Sequence, residues 1–340
     1  MLTEPPKIVP VQTTSGLPAP FWSVMIPTYN PRADYLEETL RSVLAQDPGQ
    51  QQMQIEVVDD CSPGVDVASL VKRIAGERVS FSRTPENLGL AGGWNTCIER
   101  SRGQWVHMLH HDDMVLDGFY AALSKGAASD ERVGAAFCRH AFCDEDGHWL
   151  HLSELHRKQS GVLDDFLERL GIAQLIQTPS IAVKRAIYEE LGGFRSDLCY
   201  TLDWEMWLRI AARFTFWFEP EILACYRVHQ TSATSSLVRE AADVRDIRRM
   251  LEITMSYQKP HQVAKISRQA RVGYAGFAVN NARRMLVLGY ARSARKQLVE
   301  ALRLSKSARV WRQVVSFLFL WVRVAGARLE RGIKLFLKIS

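Results

Sequence analysis

Trp105-Val106-His107-Met108-Leu109 runs straight into His110-His111-Asp112-Asp113. The apolar run has the length of a buried strand, and two adjacent carboxylates follow it at once. Where a buried strand meets a loop, paired carboxylates can hold a hard divalent cation through oxygen, and the cation can in turn hold phosphate oxygens. The plainer alternative is a polar turn closing the strand, because Asp is common there for hydrogen-bonding reasons alone. The flanking sequence bears on the choice.

Upstream, Phe21-Trp22-Ser23-Val24-Met25-Ile26 reads as a buried strand stopped by Pro27. A helix over 34–46 follows, with Leu36, Leu40, Val43 and Leu44 on one face. The unit then repeats. Ile55-Glu56-Val57-Val58 is a strand ending in Asp59-Asp60, 67–75 a helix, 79–81 a short strand and 90–100 a helix. Such alternation is that of the parallel part of an α/β sheet. In an open sheet of this kind ligands bind beyond the carboxyl ends of the strands, so Thr28-Tyr29-Asn30, Asp59-Asp60 and Asp112-Asp113 are expected to converge there.

Downstream, 117–128 reads as a helix and 133–143 as a strand, after which the alternation loosens. Residues 144–200 carry polar loops, a helix near 163–170 and a short strand, Ser180-Ile181-Ala182-Val183. Asp203-Trp204-Glu205-Met206-Trp207-Leu208-Arg209 reads as a helix start capped by Asp203, and 214–218 and 222–228 as two strands. From 236 to 304 the pattern is helical, punctuated by Pro260 and Gly289. The expected organisation is a flexible leader (1–20), an α/β domain (21–235), a helical region (236–307) and a basic tail (308–340). No internal repeat is present.

The chain has 340 residues and a net charge of +6. The tail alone carries seven Lys and Arg against Glu330, a net +6, so the rest is balanced as a sum. Nucleic-acid binding, which needs basic groups spread over a phosphate-gripping surface, is disfavoured. At 100° per residue, Arg309, Arg312, Arg323, Arg328, Arg331, Lys334 and Lys338 share a face of roughly 160°. Trp311, Val315, Leu318, Val322, Leu329 and Phe336 lie opposite. That pattern predicts a helix lying on an anionic membrane surface. Its alternative is an apolar face packed on protein, with Gly326 and Gly332 dividing the helix. Six cysteines lack CxxC spacing and the amino terminus lacks an apolar signal, so reduced thiols in the cytoplasm are expected. No stretch approaches the roughly 20 apolar residues of a spanning helix, so the chain is not expected to cross a bilayer, and the basic tail makes peripheral attachment to the inner face of the plasma membrane the expectation.

Six motifs together resemble family 2 of the inverting glycosyltransferases from Phe21 to about Ser232. They are Ile26-Pro27-Thr28-Tyr29-Asn30, Glu56 through Ser62, Asn87-Leu88-Gly89 through Asn95, the Asp112-Asp113 pair, Asp203 through Arg209, and Tyr226-Arg227-Val228-His229. The resemblance implies the GT-A fold, a Rossmann-like mixed sheet with helices on both faces followed by a helical C-terminal region, together with a nucleotide-sugar donor (UDP- or dTDP-linked), a divalent cation (Mn²⁺ or Mg²⁺) and a glycan or lipid-linked acceptor, with bacterial surface polysaccharide synthesis as the setting.

It also implies roles. Thr28, Tyr29 and Asn30 line the nucleotide pocket, with Tyr29 against the base. Asp60, or less favourably Asp59, accepts the base's imide hydrogen, unless the pair only caps a turn. Asn87, Gly89 and Asn95 bracket a loop and helix start near sugar or phosphates, with ordinary capping as the alternative for Asn87. Asp113 is the metal ligand, Asp112 binds ribose or shares the metal, and His229 contacts metal or diphosphate from a segment that closes over the donor. His110 replaces a third acid found in the commoner form of the motif, which leaves the metal preference open; His111 is read as a loop residue. Asp203 is the catalytic base, where Leu202 replaces a preceding acid, and Trp204 a flat wall for a sugar ring, while Trp207 is core.

The mechanism implied is one displacement at the anomeric carbon with inversion. A nucleotidyltransferase is disfavoured because Pro27-Thr28-Tyr29-Asn30-Pro31 is not the Gly-rich, basic loop a triphosphate needs. A non-catalytic nucleotide-sugar or glycan-binding protein tethered to a membrane assembly draws support from the acids missing at 110 and 202.

Overall fold

A computed structural model describes residues 4–10, 19–230 and 232–336, with side chains described for all of these except residues 233 and 323–336. The chain forms two compact units, 1–170 with 174–229, and 171–173 with 230–340.

The first unit begins β1 (Trp22–Thr28), α1 (Ala33–Leu44), β2 (Met53–Asp59), α2 (Val67–Ala75), β3 (Ser80–Arg83), α3 (Gly89–Arg100) and β4 (Trp105–Met108). It continues through β5 (Met114–Val115), α4 (Phe119–Ser129), β6 (Val133–Cys143), β7 (Trp149–Leu152), β8 (Gly161–Leu163) and α5 (Phe166–Ile172). It closes with β9 (Ile181–Lys184), α6 (Arg185–Leu191), α7 (Leu202–Ala211) and β10 (Thr215–Arg227). Among the described residues ten strands form one sheet in the order β3-β2-β1-β4-β9-β6-β10-β5, with β7 added on β6 and β8 on β10. The strands β3, β2, β1 and β4 are parallel, β9 runs against both β4 and β6, and β6 and β10 are again parallel. The sheet is therefore mixed. Every residue of β1 and β2 is buried, as both faces must be covered in the parallel part.

Two strand boundaries differ from the sequence reading, both at proline. Pro27 lies inside β1, opposite Val58 of β2. Met25 O accepts from Leu109 N, so alternate residues of β1 point their polar groups toward β4, and β4 has ended where Pro27 faces it. The missing N–H is thus not needed. Pro220 likewise does not separate two strands: β10 is continuous, and register shifts against β6 between Glu219 and Ala224 absorb the proline as a bulge. The short strands β5, β7 and β8 had no clear period in the sequence, being two to four residues long.

Within the leader, Gly193 N donates to Pro6 O, Arg185 Nη2 donates to Val9 O at 3.2 Å, and Ile8 is buried. Residues 4–10 are therefore held against α6 and the loop after it, while 1–3 and 11–18 lie outside the described residues.

The second unit is helical: α8 (Ala233–Arg239), α9 (Ala242–Thr254), α10 (Val263–Val287), α11 (Ala291–Leu304) and α12 (Ala308–Phe336). Pro260 and Gly289 fall in its breaks. Helix α12 runs unbroken through Gly326 and Gly332. No described helix is long and apolar enough to cross a membrane.

Candidate active site

The parallel strands β1, β2 and β4 end side by side, and their loops are tied together. Asp60 N donates to Thr28 O at 2.8 Å, Asn30 N to Ser62 Oγ at 2.8 Å, and His111 Nδ1 lies 3.3 Å from Pro27 O. Asn30 adopts a left-handed φ of 45°, a conformation that Asn tolerates better than most residues.

The acid pair sits where β4 ends. Asp113 is buried; its Oδ1 accepts from Arg227 N at 2.9 Å, and its Oδ2 accepts no hydrogen bond among the described residues. His110 Nδ1 is 3.5 Å from that oxygen, while His110 Nε2 is buried and has no hydrogen-bond partner among the described residues. The His110 ring leans on Trp94, centroids 4.8 Å apart. Ligand atoms of His110, Asp112 and Asp113 all fall within 4.8 Å of one another. Burial, with the Asp112 charge beside it, pushes the Asp113 carboxyl up to about 6. Burial also opposes ionisation of Asp112, yet the hydrogen bond to His229 and the neighbouring histidines outweigh it and hold that carboxyl below its ordinary range. For His110 burial is likewise outweighed, by Asp113, Asp112 and Asp203, and its pKa is raised. An orphaned buried carboxylate oxygen beside a second carboxylate and an imidazole nitrogen fits a divalent cation, and the nitrogen suits Mn²⁺ better than Mg²⁺.

The end of β10 locks this group in place. Arg227 donates from Nε to Asp112 O at 2.9 Å, from Nη1 to Glu145 O at 2.8 Å, and pairs with Glu38. Its guanidinium lies over the Tyr35 ring, 4.3 Å from the centroid. His229 Nε2 faces Asp112 Oδ2 at 2.9 Å; the three converging donors are thus His110, Asp112 and Asp113, with His229 against the flank of Asp112. The sequence reading gave Arg227 no role of its own, since a strand-end arginine looks the same whether it clamps a loop or faces water.

On the nucleotide side, Tyr29 is about half exposed at 46%, and Thr28 is buried with its hydroxyl on Ile26 O. Asp59 is wholly buried, its carboxylate bonded to Ser62 and 3.2 Å from Arg83. Asp60 Oδ1 accepts from Leu88 N at 2.8 Å and Thr84 Oγ1 at 3.1 Å, leaving Oδ2 with no partner among the described residues. Asn87 Oδ1 accepts from Gly89 N at 3.0 Å. Gly89 has φ +70° and open space where a Cβ would stand, so its need is conformational rather than steric. Asn95 is bound at both ends to the Phe194 backbone, at 2.7 and 2.9 Å.

Asp203 is not the cap of its helix, because α7 begins one residue earlier at Leu202, after Thr201. It occupies the first turn, where a carboxylate meets the positive end of the helix. Its Oδ1 accepts from Trp204 N at 2.7 Å and its Oδ2 from Gln174 Nε2 at 2.8 Å. Burial pushes it up to about 6, partly offset by these two donors and by the His110 charge. Gln174 was not singled out in the sequence: it lies in a loop 29 residues before Asp203, with no pattern to mark it. Trp204 is no wall for a sugar, being 1% exposed with its Nε1 donating to Leu170 O at 2.7 Å. Trp207 is core.

A mixed ten-stranded sheet with polar groups gathered beyond parallel strand ends defines an α/β protein of the GT-A glycosyltransferase type. The model of glycosyl transferase family 2 matches residues 23–192, half of the chain, and the protein belongs to that family. It is a glycosyltransferase. Among its relatives, an uncharacterized protein of Mycobacterium tuberculosis is 29% identical over 68% of this chain and 75% of its own length. The putative teichuronic acid biosynthesis glycosyltransferase TuaG of Bacillus subtilis is 29% identical over 64% of this chain and 82% of its own. Two solved structures share the fold. A mannosyltransferase from Pyrobaculum calidifontis, in complex with GDP-Man and Mn²⁺, has a TM-score of 0.57 at 19% identity, covering 95% of this chain and 88% of that one. TarS of S. aureus, in complex with UDP-GlcNAc, has a TM-score of 0.58 at 15% identity, covering 85% and 91%.

Proposed function

We propose that this enzyme transfers a sugar from a nucleoside-diphosphate donor to a hydroxyl of a glycan or lipid-linked acceptor, inverting the anomeric carbon. The observation that carries the reading is the orphaned Asp113 oxygen beside Asp112 and His110, with the raised carboxyl of Asp203 held by Trp204 N and Gln174 Nε2.

Tyr29 stacks on the base and Asp60 accepts its imide hydrogen through Oδ2, a pairing that favours uracil or thymine; Asp59, already engaged, holds the loop. Asp113, Asp112 and His110 hold a divalent cation, which supplies positive charge to the diphosphate leaving group. Asp203 takes the proton from the acceptor hydroxyl as its oxygen bonds to the anomeric carbon and the bond to the diphosphate oxygen breaks. Gln174 and Trp204 N orient that carboxylate. The name of the Bacillus relative supports a surface-glycan acceptor.

A panel of nucleoside diphosphates with Mn²⁺ or Mg²⁺ in a thermal-shift assay tests the donor side, since a ligand of the folded state raises the melting temperature. Proton NMR of the product then reads the anomeric configuration. Stabilisation by uridine or thymidine diphosphate with Mn²⁺, followed by an inverted product, is expected. Stabilisation without turnover on any acceptor would favour a non-catalytic binder.

A further inference from the structure

The 307 residues before the tail are balanced only as a sum. Residues 230–340 carry 22 Lys and Arg against six Asp and Glu, a net charge of +16, whereas 1–229 carry 21 against 31, a net −10. The positive charge belongs to the whole helical unit rather than to its last helix.

Helix α12 is fixed on α10 by Val310, Val314 and Phe317, each 5% exposed or less. Arg283 adds a 3.2 Å hydrogen bond to Gln313 O. Because those residues claim one face, a second apolar stripe is left outside: Trp311 48%, Val315 47%, Leu318 51%, Phe319 70% and Val322 71% exposed. Their spacing places all five on adjoining turns of one side. Arg309 and Arg312, both exposed, lie in the same turns. A contiguous stripe of Trp, Phe, Leu and Val in water marks a surface that something covers.

We infer that the helical unit docks on an anionic lipid surface, with Trp311, Val315, Leu318, Phe319 and Val322 entering the interface. The two features select this occupant together. A stripe-to-stripe contact with a second copy would set another +16 against the first. Nucleic acid satisfies the charge but gives the exposed apolar side chains nothing to enter. Anionic bilayers offer both an acyl boundary for the stripe and a negative surface for the unit, and a weak apolar anchor becomes stable when a basic surface joins it. This docking is independent of the transfer chemistry proposed above, so either can fail alone.

The full-length protein is sedimented with vesicles of phosphatidylcholine alone or mixed with phosphatidylglycerol, beside the double variant Leu318→Glu/Phe319→Glu and the milder Phe319→Ser. The wild type is expected to bind the mixed vesicles only and to leave them as salt is raised. The double variant should bind at least tenfold more weakly and Phe319→Ser show an intermediate loss, both with unchanged melting temperature and unchanged activity on a soluble acceptor. Equal vesicle binding by all three proteins, or none by the wild type, overturns the inference. So does a wild-type dimer in sedimentation velocity that the double variant breaks into monomers, which would make the stripe a self-interface.

Discussion

His229 Nε2 stands 2.9 Å from Asp112 Oδ2, a contact across 117 positions that ties the segment after the last strand to the acid pair. The Tyr35 ring meets the imidazole edge-on, centroids 5.5 Å apart, so both partners are held in orientation. His229→Ala is expected to weaken cation-dependent donor binding by roughly 10–100-fold, the usual result of removing a group that orients a ligand. Calorimetric titration of nucleoside diphosphate with Mn²⁺ reads this directly, and unchanged affinity would mean that Asp112 needs no such support.

Asp113→Asn should abolish transfer and cation-dependent donor binding while raising the melting temperature of the metal-free protein. The amide keeps an oxygen for Arg227 N but removes a buried carboxylate beside another. A variant that retains wild-type turnover would put the cation elsewhere.

Asp203→Asn keeps the acceptor for Trp204 N, so folding should survive while turnover falls by roughly 10² or more. A carboxylate acting as a base works only when ionised. With its carboxyl pushed up to about 6, kcat/KM should rise with pH through that value and level off above it. A flat profile from pH 5 to 7.5 would rule Asp203 out as the base.

Gln174→Ala removes a hydrogen bond that favours the charged form of Asp203. The acid limb of the pH profile should therefore move to higher pH. A lower plateau with an unmoved limb would assign Gln174 to acceptor binding instead.

His107 tests acid stability. Its Nε2 lies 3.0 Å from Pro179 O, which can only accept, and its Nδ1 3.1 Å from Tyr120 Oη, so Nε2 carries a proton and Nδ1 can accept from the hydroxyl. Burial pushes the imidazole down to about 3 from an ordinary 6.5. Such a group stabilises the fold fully above its unfolded value and loses that contribution as pH falls from 6.5 toward 3. His107→Gln should lose less unfolding free energy than the wild type between pH 7 and pH 4, measured by urea titration.

The order of these elements was legible because β1, α1, β2, α2, α3 and β4 each carry their own period. Direction was not: nothing in Ile181–Lys184 announces that β9 runs against both neighbours, since pairing belongs to the partners rather than to the run. In the site, Asp113 and Asp203 stood out as carboxylates at element ends. Their supports did not, because Arg227, Gln174 and Trp94 act through geometry that only folding creates. For the tail, the face that carries Val310, Val314 and Phe317 was the one the charge pattern hid. The side chains of Arg323, Arg328, Leu329, Arg331, Lys334 and Phe336, and all of Lys338, lie outside the described residues.

The clamp on the acid pair comes from far along the chain: Arg227 reaches back 114 positions to Asp113 and 189 to Glu38. Contacts so distant in sequence carry a larger loop-closure entropy than local ones. On the ribosome, strands β1, β2 and β4 emerge well before β10, so a nascent chain halted short of residue 227 carries both carboxylates without the groups that fix them. On the proposed role of the acid pair, donor binding is expected only once β10 has been made and Arg227 can reach Asp113.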